Sequence, residues 1–354
     1  MALFEVNEYD RLIYERELKD FLPEQMIDIH THIWLEELRR ADAGTLALKR
    51  TVSWPRLVAR HNPVEDLAET YRLMFPGKKV TPLVFASGSR EAIVKLNEYV
   101  EESAKKTGYP ALYYSRPEES AEELEKKIRE GGFLGIKSYL SMAPEYIPTK
   151  EIRVFDFFPK HQLKKMNEMK AIVMLHIPRD GRLKDPVNLG QIKEIKHEFP
   201  DVRLIVAHIG RAYVQEDIGN AFEVLAECDD LLFDFSANCC EYAITKLLEA
   251  VGPKRVLFGS DLPILRMRTH RIEENGTYIN LVPPGLYGDP SQDSHLREVT
   301  EEEAKKITFF MYEEILAFKR AAKNLNLTRD DIEDVFYRNA KKLIEGAHRD
   351  IYGE

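Results

Sequence analysis

Residues 171–208 read AIVMLHIPRDGRLKDPVNLGQIKEIKHEFPDVRLIVAH. The two ends, 171–176 and 202–208, are apolar runs of strand length. They lack the apolar–polar alternation of a half-exposed strand, so both faces are buried, as in a parallel sheet covered by helices. The stretch between them, 187–199, has the apolar spacing of an amphipathic helix. Strand, helix and strand make one right-handed crossover unit. Each strand ends in a histidine, His176 and His208.

Working outward, the same unit recurs. Further strands are expected at 26–33, 80–86, 111–115, 133–138, 231–236 and 255–259. Helical patterns fill the intervals at 63–75, 89–107, 118–130, 158–170, 215–228 and 241–251. Eight strands alternating with helices predict an α/β fold, a distorted (β/α)8 TIM barrel, with an open doubly wound sheet as its rival. Residues 1–354 form one domain on this reading. Two insertions interrupt the alternation. One, at about 34–62, holds Trp34 and Trp54; the other, at about 262–299, is rich in Gly, Pro, Asn and Asp and reads as a long loop that could cover the site. Extra C-terminal helices are expected at about 300–347, packed outside the barrel.

Composition narrows the function. The net charge of −9 argues against a nucleic-acid partner, which needs a basic footprint. No stretch approaches the roughly 20 apolar residues of a membrane helix. Three cysteines (Cys228, Cys239 and Cys240) make no disulfide framework. The reading is a cytoplasmic protein.

The chemistry gathers at strand ends. His30 and His32 lie two apart in Met-Ile-Asp-Ile-His-Thr-His-Ile, on one face and about 7 Å apart along the strand. His176, His208 and Asp261 each end an apolar run. In a barrel these ends converge on the C-terminal mouth, where active sites lie. Imidazole and carboxylate donors suit Zn²⁺, Mn²⁺ or Fe²⁺. Lys137 ends the fourth strand; it either binds an anion or pairs with Asp261, or is carbamylated between two metals. Arg179, Arg182, Arg211, Arg266 and Arg268 follow strands five, six and eight, and their forks suit a carboxylate. A thiol nucleophile at Cys239 or Cys240 has no evident base.

Taken together, the residues resemble the amidohydrolase superfamily, in the branch of aminocarboxymuconate-semialdehyde decarboxylase-like enzymes. The resemblance is carried by Asp28-Ile-His30-Thr-His32, Gly135-Ile-Lys137, Leu175-His176, Ala207-His208-Ile-Gly210, Val256-Leu-Phe-Gly-Ser-Asp261-Leu-Pro263 and Arg338-Asn-Ala-Lys-Lys-Leu343. It implies a TIM barrel with His30, His32, His176 and Asp261 as metal ligands. His208 would then polarise substrate or water, and Lys137 would bridge no metals. It also implies a single divalent metal, zinc first and manganese as the alternative, and a homodimer.

The expected function is a metal-dependent hydrolase. Metal-activated water would attack a C–N or C–O bond of an acidic small molecule, with Asp261 and His208 catalytic and Lys137, Arg179, Arg211 and Arg266 binding substrate. Non-oxidative decarboxylation at the same site, and a ligand-binding barrel without catalysis, remain open alternatives.

Overall fold

The structure is a computed structural model describing residues 3–39, 50 and 57–353. The middle of the first insertion, with Trp54, lies outside the described residues. Eight parallel strands form the core: β1 (Gln25–His32), β2 (Lys79–Phe85), β3 (Tyr113–Tyr114), β4 (Gly135–Lys137), β5 (Ile172–Leu175), β6 (Arg203–Val206), β7 (Leu232–Asp234) and β8 (Val256–Leu257). Strands β3 to β8 are consecutive neighbours, and β1 pairs with β2. Backbone hydrogen bonds join the two sheets on both sides. Leu112 N donates to Val84 O at 3.0 Å; Ile29 N donates to Phe258 O at 3.0 Å and Asp261 N to His30 O at 2.8 Å. The strand order is therefore that of a (β/α)8 barrel.

Helices α1 (Val64–Met74), α2 (Ile93–Thr107), α3 (Ala121–Gly131), α4 (Lys160–Glu168), α5 (Pro186–Glu198), α6 (Ala221–Leu225) and α7 (Glu241–Val251) follow the first seven strands in turn. Local sequence sets their ends. Ser120 and Glu123 form a capping box before α3, and Gly132 closes it at φ +75°. Asp185 caps α5, and Pro186 opens it where no N–H is needed.

The strands bury side chains on both faces. Ile27, Ile29, Leu83, Phe85, Leu112, Leu134, Ile172, Met174, Ile205, Ala207 and Leu257 fill the barrel interior. The opposite faces pack against the helices in a second, larger cluster. Burying each large apolar side chain is worth about 1.5–3 kcal/mol.

Three differences from the sequence reading have physical causes. Strand β1 carries one extra residue between Asp28 and Thr31 relative to β2. This bulge changes the phase of the side chains. Ile27 and Ile29 point into the barrel, and so do His30 and His32, whereas Asp28 turns out to accept the Tyr71 hydroxyl of α1 at 2.7 Å. The second insertion is not a loop. It forms a three-stranded sheet from β9 (His270–Glu274), β10 (Thr277–Val282) and β11 (Leu296–Glu298). Asn275 and Gly276, both at positive φ, make the tight turn between β9 and β10. Arg271 of β9 donates to Ala237 O, just past β7, at 2.7 Å, and stacks on Tyr213 and Tyr278. The sheet thus docks on the loops that follow β6 and β7.

The C-terminal helices also divide their work. Helix α8 (Phe310–Asn324) packs outside the barrel, as expected. Helix α9 (Asn339–Tyr352) instead contributes Ala340, Leu343 and Ala347 to the interior cluster. It closes the base. Among the described residues the three cysteines are free, and no helix is long and apolar enough to cross a membrane.

Candidate metal centre

At the mouth, ligand atoms of His30, His32 and Asp261 all lie within 4.8 Å of one another. Asp261 Oδ1 is 3.1 Å from His32 Nε2 and 3.5 Å from His30 Nε2. The aromatic floor beneath them is Phe85, whose ring centroid is 4.5 Å from that of His32.

Each histidine is held from behind. His30 Nδ1 faces Asp234 Oδ2 at 3.0 Å, and His32 Nδ1 faces Ala86 O at 3.2 Å. His208 Nδ1 faces Ser236 O at 3.0 Å. These acceptors place the proton on Nδ1 and leave Nε2 with its lone pair. Burial reinforces the neutral form. It lowers the pKa of His30 despite the Asp234 charge, and that of His208 to about 4. Asp261 is held down to about 2: burial alone would raise it, but the hydrogen bond with His32 and the nearby His208 and His30 outweigh burial. His32 Nε2 and Asp261 Oδ1 converge at 3.1 Å, a spacing that a shared proton or a shared divalent cation satisfies. The donor set therefore fits a divalent metal, with carboxylate and histidine groups behind it in the usual supporting role.

Asp234 is the residue that strand-by-strand reading missed. It takes the Nδ1 proton of His30 on Oδ2. Its Oδ1 accepts from His208 N at 2.8 Å and Ser236 N at 3.1 Å. Burial opposes its ionisation, yet the His30 contact keeps its carboxyl well below the usual range. The signal was present: Asp234 ends the apolar run Leu231-Leu-Phe-Asp, as Asp261 ends its own. Asp28 is a second support. It accepts from Ser260 N at 2.9 Å and His30 N at 3.2 Å, tying β1 to the end of β8. Burial pushes its carboxyl up to about 7 against those hydrogen bonds.

Backbone geometry explains two motifs. A Cβ at Gly259 would fall 2.9 Å from His30 Cβ, so only glycine lets the chain pass. His208, Ile209, Gly210 and Arg211 are all left-handed, with φ between 51° and 60°. For a non-glycine residue that costs about 1–2 kcal/mol. The Asp234 bond to His208 N, the Gly210 N to Ala207 O bond at 2.8 Å and the Asn238 bond to Ala212 O at 2.8 Å hold the turn. A Cβ at Gly210 would strike Leu183.

The other expected site residues separate into two groups. Lys137 is 2% exposed, with Nζ 5.8 Å from the Phe85 ring and no ion pair within 4.0 Å among the described residues. Burial lowers its pKa to about 8, although Asp261 and Asp234 favour its charge. Arg211 donates to the carbonyls of Ile177, Pro178 and Arg179 and makes no ion pair among the described residues. It lies near enough to His176 to help burial depress that pKa. His176 itself stands beside Tyr139 and His208, with ring centroids at 4.5 and 5.3 Å, outside the close trio. Its Nδ1 has no hydrogen-bond partner among the described residues.

The remaining arginines are engaged elsewhere. Arg179 pairs with Asp185 at 3.2 Å, Arg182 with Asp217 at 2.6 Å and Arg268 with Asp10 at 2.5 Å. Arg266 donates to Asn62 Oδ1 at 2.8 Å and lies beside Asp66. A loop following the mouth strand sends these side chains outward as readily as inward. Burial raises the thiol pKa of both Cys239 and Cys240, which makes them poor nucleophiles.

A family model described as amidohydrolase matches residues 27–345. Among solved structures, the chain is similar to an amidohydrolase from Burkholderia multivorans with bound zinc (12% identity, TM-score 0.58, covering 91% of this chain and 99% of that one). It is similar to a putative 2-pyrone-4,6-dicarboxylic acid hydrolase from Pseudomonas putida (14% identity, TM-score 0.54, covering 92% and 98%). It is also similar to a dihydroxybenzoic acid decarboxylase from Polaromonas sp. JS666 with bound manganese and an inhibitor (15% identity, TM-score 0.53, covering 91% and 97%). No curated protein sequence matches. At these identities the structural likeness speaks to the fold.

Proposed function

The chain belongs to the amidohydrolase family, and from that premise we propose that it is a metal-dependent hydrolase acting on a C–N or C–O bond of an acidic small molecule. The observation that carries the reading is the convergence of His30, His32 and Asp261, with each histidine proton fixed on the far nitrogen. These three residues would hold a divalent cation, zinc or manganese, and His176 is the further proposed donor. When bound, the cation supplies Lewis acidity that brings the pKa of water from 15.7 toward about 7.

The side chains do the rest. Asp261, ionised at neutral pH, takes the proton of the attacking water and returns it to the leaving group. His208 carries its proton on Nδ1, so Nε2 acts as an acceptor that orients the water. Lys137 and Arg211, without a carboxylate partner among the described residues, hold the acidic group of the substrate. Arg179 and Arg266 have no part in this arrangement.

A second reading, non-oxidative decarboxylation, is favoured by Lys137. A buried ammonium with a pKa of about 8 can supply the proton that replaces CO₂. Elemental analysis of the purified protein, beside a His30→Ala/His32→Ala variant, tests the shared premise. About one zinc or manganese per chain, lost in the variant, supports it; a metal-free protein after attempted reconstitution defeats it. A panel of lactones, amides and aromatic acids then separates the reactions: release of CO₂ without uptake of water selects the decarboxylase.

A further inference from the structure

A cavity of about 380 Å³ is lined by none of the residues that form the metal centre. Six stretches of chain wall it, among them the segment at 3–5, residues 57–61 and the loop after β8. Its apolar surface comes from Phe4, Leu57, Val58, Leu286, Tyr287 and Phe309. That volume falls in the range of small-molecule sites.

Its charged lining is uneven. Arg268 is neutralised by two contacts with Asp10, at 3.0 and 2.5 Å. Arg266 is not: it is 9% exposed, its Nε has no acceptor, and it makes no ion pair within 4.0 Å among the described residues. Its sole side-chain hydrogen bond among the described residues runs from Nη2 to Asn62 Oδ1 at 2.8 Å. Two acids, Glu5 and Asp66, also line the cavity, Glu5 on the exposed surface. Burial lowers the Arg266 pKa to about 10, with Asp66 alone opposing. A buried guanidinium without an ion pair is costly and calls for an anionic acceptor.

Asn62 connects this cavity to the metal centre. It is 1% exposed, and its Nδ2 donates to His32 O at 2.7 Å. Its backbone also pairs with Trp34 on both sides. Two consecutive hydrogen bonds therefore run from Arg266 to the backbone of His32.

We propose that this cavity is a second binding site, taking a small carboxylate with an apolar body, and that its occupancy reaches His32 through Arg266 and Asn62. The carboxylate meets the guanidinium from the cavity side, and the ring or branched body lies on the aromatic walls. By competing for the Arg266 protons it loosens the Asn62 clamp, so metal affinity falls when the site fills. The binding half stands independently of the metal reading; the coupling half rests on His32 being a ligand.

Benzoate is the probe, with inorganic phosphate as the control for charge alone. Calorimetric titration of the His30→Ala/Asp261→Asn variant removes the metal centre as a source of binding, and chelator-stripped wild type serves the same end if that variant does not fold. Benzoate should bind at least about 10-fold more tightly than phosphate, and Arg266→Gln should lose about 10-fold or more. Equal binding to Arg266→Gln, no benzoate binding, or phosphate binding as tight as benzoate overturns the site. In a chelator competition on wild type loaded with zinc, saturating benzoate should weaken metal binding about 5-fold or more, and Asn62→Ser should remove that shift. Benzoate binding that leaves zinc affinity unchanged overturns the coupling.

Discussion

The two ends of the barrel use the same strands for opposite purposes. At the base, Ile27, Leu257 and Ile205 meet Ala340 and Leu343 of α9 in a closed apolar cluster. At the mouth, a few residues further along, the same β1 and the end of β8 present His30, His32 and Asp261. The base spends its burial on packing. The mouth places ionisable groups in largely buried surroundings and satisfies them with Asp234, Asp28 and backbone carbonyls instead. Conformity to the strand pattern therefore reports stability at one end, and departure from it reports chemistry at the other.

The sharpest way to separate the two ends is Asp261→Asn. Turnover should fall by about 10²–10⁴-fold, the usual loss for an acid–base group. The thermal midpoint of the metal-free protein should hold, because the amide keeps a hydrogen-bonding group beside His32 Nε2. A collapse of both would show that the mouth is structural. The converse change is at the base. Leu343→Ala removes a buried side chain and should cost about 2–5 kcal/mol in denaturant unfolding, while the folded fraction keeps its full metal content.

Smaller effects sharpen the contrast. Asp234→Asn takes away the carboxylate behind His30 and should weaken metal binding about 10–100-fold in a chelator competition. The smallest effect is a pH dependence. Lys137 has its pKa lowered from 10.5 to about 8, so its charge is lost as pH rises through 8. The KM for an anionic substrate should be flat below that point and rise up to about 10-fold per pH unit above it; Lys137→Arg should stay flat. In stability the sign is also fixed. The unfolded chain binds more protons between about pH 8 and 10.5, so this lysine's contribution improves as pH rises across that window.

The barrel was legible because each of its strands is an apolar run between helical patterns, and the observed strands fall within or against those runs. The ligand histidines were legible because they end such runs. What stayed hidden was anything set by a shift of phase or by a distant partner. The β1 bulge cannot be read from Asp28-Ile-His-Thr-His; only its pairing with β2 reveals that Asp28 leaves the face of His30. Asp234 was readable by the rule applied to Asp261 and was passed over. The inserted sheet was masked by its Gly, Pro and Asn content, although Asn275-Gly276 is a hairpin signal in its own right. Loop arginines were grouped by sequence position, and their carboxylate partners, far away in the chain, sent them in different directions.

The dry environment of the mouth also has a calorimetric consequence. His30 is already neutral and Asp261 already ionised before any cation arrives. Neither group has a proton to give up near pH 7 when metal binds. The heat of metal uptake should therefore carry no contribution from these two residues when the buffer is exchanged for one with a different enthalpy of ionisation.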